Sequence, residues 1–197
     1  MKSINLKILF FFLISFIYAI VRYNVFGNVP WEEVPLYITN KAISLTIVFL
    51  LLFSVKKSFE SRIRKRLFTL IFILAAIHVF ISFRLLGPEH YNKFYSGNEL
   101  NLVGYLTIFF GISAFIGILI LKSDNLLPTE NGKLQIPNSL KIIIQKLIPI
   151  SIALHLFSMR FLGWVSPNTW PAFLIPISLI GFAIIGIYIK LIFTRKL

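Results

Sequence analysis

Two histidines stand inside long apolar runs, where an imidazole needs a reason to be. His78 lies in Leu74-Ala75-Ala76-Ile77-His78-Val79-Phe80, and His155 in Ile152-Ala153-Leu154-His155-Leu156-Phe157. A polar ring among aliphatic side chains must find a hydrogen-bond partner, a metal or a cofactor. Each is followed by a cation: Arg84 comes six residues after His78, and Arg160 five after His155. On a helix rising about 1.5 Å per residue, both imidazoles then sit about 8–9 Å short of an Arg. Two His at one depth on two parallel helices reach the two faces of a single planar group. Imidazole is a common axial ligand of haem iron, and guanidinium pairs well with the carboxylates of its propionates. His78 and His155 are therefore candidate axial ligands of a haem iron, with Arg84 and Arg160 as candidate partners of the propionates. A second reading stays open beside it, in which each His is neutral and only bridges helices by a hydrogen bond.

Other chemistry has less to work with. The chain has no Cys, which removes disulfides, thiolate metal sites, Cys-held iron–sulfur clusters and covalent c-type haem. Structural zinc wants four ligands and catalytic zinc three, more than two His supply. His90, in Pro88-Glu89-His90-Tyr91, is expected as an exposed loop His, with a surface metal ion beside Glu89 as the alternative. No Asp or Glu falls inside an apolar run, which speaks against acid–base catalysis and against a proton-coupled transporter. Glu32 and Glu33 are adjacent and point apart in an extended segment. Phosphate-loop and serine-nucleophile motifs are absent.

The elements that must position these residues are membrane helices. Of 197 residues, 57% are hydrophobic and only 14% charged, and mean hydropathy is +0.85. Six continuous apolar runs, at 4–21, 36–55, 67–86, 100–121, 140–162 and 171–193, each approach the ~20 residues needed to cross a bilayer. Continuous runs predict helices rather than barrel strands, so the fold class is an all-α bundle of six transmembrane helices forming one domain over 1–197. The first run resembles a signal peptide, but Tyr18-Ala19-Ile20-Val21 is a poor cleavage site, so the run is expected to stay as a helix. The net charge of +13 is distributed as topology rather than as a nucleic-acid surface. Fifteen basic residues fall on the side of the termini and five (Arg22, Lys41, Arg84, Lys93 and Arg160) on the other. The positive-inside rule then places both termini in the cytoplasm. Val29 to Pro35 reads as an extended link. Thr129-Glu130-Asn131-Gly132 reads as a turn. Trp31, Trp164 and Trp170 read as an interfacial belt. Gly104, Gly111, Ser113 and Gly117 predict close helix contacts, Ser113-x-x-x-Gly117 being a small-residue pair.

Several stretches resemble the ferric reductase-like transmembrane domain family. That family includes the haem-binding membrane subunit of the periplasmic methionine-sulfoxide reductase system and, more distantly, STEAP reductases and NADPH oxidases. Arg64-Lys65-Arg66-Leu67-Phe68-Thr69-Leu70 followed by Ala75-Ala76-Ile77-His78 is similar to the family's basic inner loop entering a helix with a late His. Gly104-Tyr105-Leu106 resembles the start of its fourth helix, and Lys146-Leu147 through Ala153-Leu154-His155-Leu156 the end of its fifth. The resemblance covers roughly residues 36 to 162. It implies a b-type haem between the third and fifth spans, with His78 and His155 as axial ligands. Some relatives carry an earlier His on the fifth span; here Ile142 stands thirteen residues before His155, and Arg64 and Lys65 hold the comparable places before the third. One haem is therefore expected. Pro149 is a further departure and predicts a kink.

Together these readings predict a haem b-containing electron-transfer subunit in the cytoplasmic membrane of a bacterium. No flavin or nicotinamide domain is expected after the last span, so a quinone or a separate reductase would supply the electrons. A flavin stays open as a second cofactor, and the acceptor would be a protein or metal at the outer face. The rivals are a cofactor-free transporter, which needs a polar path across several helices, and an assembly or scaffold protein whose His residues only tie helices together.

Overall fold

The six apolar runs become six spans: Ile4–Val25, Trp31–Ser54, Ser61–Arg84, Leu102–Ser123, Asn138–Trp164 and Pro171–Phe193. The computed structural model describes residues 2–55, 60–123, 128–129, 132–133 and 136–194. Its helices are α1 (Lys2–Ile20), α2 (Thr39–Ser54), α3 (Ser61–Arg84), the single turn α4 (Pro88–Tyr91), α5 (Leu102–Ser123), α6 (Asn138–Trp164) and α7 (Ile177–Phe193). The chain is an all-α, multi-pass membrane protein. Hydrocarbon offers no partner to a backbone amide, so each long run closes its amides on itself.

The bounds shift for physical reasons. Helix α3 begins at Ser61 rather than 67, because Arg62, Arg64, Lys65 and Arg66 favour helix and carry their charge away from the apolar stem. The expected extended link from Val29 to Pro35 is corrected by the structure. Only its start is extended, at Pro30 (ψ 151°), after which Trp31–Glu33 forms a 3-10 turn and Val34–Ile38 a π-helical turn running into α2. Pro35 fits there because the first turn asks no N–H of it. Thr39 Oγ1 donates to the Val34 carbonyl at 2.8 Å. Pro149 lies inside α6. The backbone of α6 stays helical through it, and the non-helical step falls at Arg160 (φ −157°, ψ 26°).

In the connection after α4, β1 (Tyr95–Ser96) pairs antiparallel with β2 (Glu99–Leu100), and Gly97 takes the positive φ of 65° that this turn requires. A second pair, β3 (Pro128–Thr129) and β4 (Gly132–Lys133), flanks the expected turn. Glu130 and Asn131 themselves lie outside the described residues, as do Lys56, Lys57, Arg195 and Lys196 of the charge count.

Helix α5 packs on α6, α6 on α7, α7 on α2, α2 on α3 and α3 on α5, which closes a ring, while α1 packs on α2 from outside. Leu50, Leu67, Ile71 and Ile185 are wholly buried within it. Phe80 and Leu102 face outward, 76% and 72% exposed, as side chains that meet lipid do. The predicted close approach of α5 is made by Gly111 and Gly117: a Cβ on Gly117 would come 2.7 Å from Ile148 Cγ1 of α6. Ser113 instead donates to its own helix, to the Phe109 carbonyl at 2.7 Å. Six crossings return the chain to the end at which it started, so residues 85–101 and 165–176 lie at the opposite, far end. There Trp31 is exposed, whereas Trp164 Nε1 donates to Ser178 Oγ and Trp170 Nε1 to the Gly163 carbonyl.

Candidate functional site

Helix α3 carries His78 and helix α6 carries His155, and both line one cavity of about 870 Å³ walled by α2, α3, α5 and α6. That volume lies within the range of about 300–1,000 Å³ usual for cofactor pockets. The two His thus line one space. Each ring is held from behind by a different helix. His78 Nδ1 donates to Asn40 Oδ1 of α2 at 2.7 Å, and Asn40 Nδ2 donates in turn to Ser82 Oγ at 3.0 Å. His155 Nδ1 donates to the Thr107 carbonyl of α5 at 2.8 Å. A carbonyl oxygen only accepts, so both protons sit on Nδ1 and both Nε2 atoms keep a lone pair. Neither Nε2 has a hydrogen-bond partner among the described residues.

Gly111 makes the second of these bonds sterically accessible. A Cβ there would stand 2.9 Å from His155 Nδ1 and 3.2 Å from its Cε1. Only a residue without a side chain lets the ring lie against α5 and reach the carbonyl one turn earlier.

The two Arg separate. Arg160 lines the cavity. Arg84 is exposed and stands outside the lining, so the structure does not bring it to the His pair. The broken turn of α6 accounts for the difference, since Arg160 leaves the helix while Arg84 stays on the lipid-directed side of α3. The basic side chains that accompany Arg160 are Lys41 of α2 and Lys93 of the connection after α4. The Lys41 ammonium lies over the rings of Tyr37 and Tyr91, 4.8 and 4.9 Å from their centroids. Lys93 Nζ donates to the Met159 carbonyl, which the irregular turn at Arg160 leaves free. Lys93 is exposed as a residue, yet its amine turns into the cavity wall. Loss of water around that amine, with the positive charges of Lys41 and Arg160 adding to it, pulls Lys93 down to about 6.

His90 also borders the cavity, and its partner is Glu33 at 3.3 Å, not the neighbouring Glu89. Among the described residues no group of three His, Cys, Asp or Glu converges as a metal site. Sequence reasoning passed over Asn40, and read Lys41 and Lys93 only as topological charges and Gly111 only as a helix contact. Asn40 and Lys41 carried a readable signal, because both fall inside the predicted second span, where a polar side chain calls for an explanation.

Fold and site together define a multi-pass helical membrane protein in which two imidazoles, each tied down through Nδ1, line one cavity. Comparison with protein-family models, curated proteins and solved structures finds no match for this chain.

Proposed function

We propose that the chain is a haem b-containing electron-transfer protein of the bacterial cytoplasmic membrane, built on the plan of the ferric reductase-like transmembrane domain, with both termini in the cytoplasm. One observation carries the reading: His78 and His155 line one cavity, each with Nδ1 engaged and Nε2 unpartnered. Metal-ligating His almost always donates its other ring N–H to a carbonyl or carboxylate, which fixes the tautomer and the ring. Asn40 and Thr107 fill that role for the two rings. The residues present fit a haem: two lone pairs for the iron, apolar walls for the macrocycle, and cations where carboxylates would emerge. When bound, the haem supplies a one-electron centre whose potential the axial ligands and burial tune. The chain's own part is to hold the iron through His78 and His155 and to exclude water with α2, α3, α5 and α6. Quinol or a separate reductase is the donor, and the acceptor meets the chain at its outer face.

The hydrogen bonds of the two His also fit the second reading, in which they do no more than tie α3 to α2 and α6 to α5. The purified protein separates the two. A reduced-minus-oxidised spectrum with b-type bands, lost in both His78→Ala and His155→Ala, supports the haem. A parent protein that stays colourless after expression with ample haem refutes it and leaves the helix-tying role.

A further inference from the structure

The far-end part of the cavity is electrically one-sided. Lys41, Lys93 and Arg160 all line it, and none of its lining residues is Asp or Glu. Among the described residues, the Lys41 ammonium meets only the aromatic faces of Tyr37 and Tyr91, and the Arg160 guanidinium donates no hydrogen bond. Glu33 is engaged with His90. The Lys41 and Arg160 charges, gathered in a low-dielectric space without a counter-charge, repel one another and lose hydration, and the same surroundings keep the Lys93 amine largely unprotonated at neutral pH until an anion enters. Such an arrangement persists where an anion completes it. The donors are also of two useful kinds, a planar fork and two compact amines, of which Lys93 gains its charge beside an anion, and both kinds suit carboxylate oxygens.

We propose that this end of the cavity is a site for a ligand with two carboxyl groups, held by Lys41, Lys93 and Arg160. It deepens the haem reading, since a haem carries two propionates. A free dicarboxylate drawn in from the far-end solvent presents the same chemistry. Gly163 supports the assignment, because a Cβ there would come 2.9 Å from Arg160 Nε. The glycine leaves the guanidinium room to lie back along the end of α6.

The test uses the purified full chain in detergent, freed of haem, with iron protoporphyrin IX, its dimethyl ester and succinate as probes. The diacid is expected to bind about tenfold or more tightly than the ester. Lys41→Met and Arg160→Met are expected to remove that preference, while Lys41→Arg keeps it. Thermal unfolding of each variant checks that it is folded. If the diacid and ester bind alike, but succinate raises the melting temperature of the parent and not of Lys41→Met, the site is confirmed and its ligand is a free dicarboxylate. If neither porphyrin binds, the haem reading fails and the succinate arm alone decides the carboxylate site. Equal porphyrin binding with no response to succinate overturns the proposal while leaving the His pair intact.

Discussion

Replacing Gly111 by Ala tests the ligand set without touching a ligand. The added Cβ would stand 2.9 Å from His155 Nδ1, and ordinary contact begins at 3.4 Å. The ring must therefore retreat by about 0.5 Å, which is the tolerance within which a ligand constellation works. The same retreat stretches the bond to the Thr107 carbonyl from 2.8 Å to the edge of useful hydrogen-bond distance. Loss of such a supporting bond typically costs about 10–100-fold in metal affinity, or about 1.4–2.8 kcal/mol. Helix propensity works the other way, since Ala in a helix interior is favoured over Gly by about 1 kcal/mol. Gly186→Ala supplies the control, because a Cβ at Gly186 meets nothing within 4 Å. The assay is haem titration into haem-free protein, followed by Soret absorbance, with melting temperature measured alongside. Gly111→Ala is expected to bind haem 10–100-fold more weakly while melting no lower than a degree or two from the parent. Unchanged haem affinity in Gly111→Ala would show that His155 is not held where the iron sits.

Asn40→Leu removes the acceptor of His78 Nδ1 and is expected to weaken haem by a similar 10–100-fold, and His90→Ala is expected to leave one haem per chain; pyridine haemochrome extraction reads both. Arg160→Ala is expected to lower the haem midpoint potential, since loss of a nearby positive charge disfavours the more negative reduced state, and Arg84→Ala to leave it unchanged; a spectroelectrochemical titration showing equal shifts would dissociate Arg160 from the cavity. Lys93 binds its proton in the folded chain only below about pH 6, whereas an unfolded Lys keeps it to about 10.4. The unfolded state thus binds more protons between those values, so stability is expected to rise from pH 6 to 8, and Lys93→Met to flatten that rise in thermal melts. A reporter active only outside the cytoplasm, fused after Lys196, is expected to be silent.

Run length alone made the six spans legible, because a bilayer imposes nearly the same requirement on every crossing. The two His were legible for the same reason: hydrocarbon makes each polar residue conspicuous. What surrounds them was less so. Lys41 was counted with the topological charges of the far side, although it lies inside α2, and its role depends on Tyr91 arriving from a connection fifty residues later. Arg84 and Arg160 looked equivalent because spacing from a His was the only measure available. The step at Arg160 that makes them different is a backbone event no spacing rule contains. Gly111 read as one more small residue of a helix contact, and its particular duty appears only when the ring across from it is in place.

The bond from Lys93 to the Met159 carbonyl and the pair of His90 with Glu33 have a consequence in time rather than in energy. They fasten the connection after α4 to α6 on one side and to the segment before α2 on the other. Residues 90–94 border the cavity as well, so this stretch forms part of its wall and lifting it would open that side. Both fastenings must then be undone together, though each alone is modest. Where a ligand passes this stretch, weakening either fastening quickens its entry and its exit alike, because both cross the same barrier, and leaves its affinity unchanged.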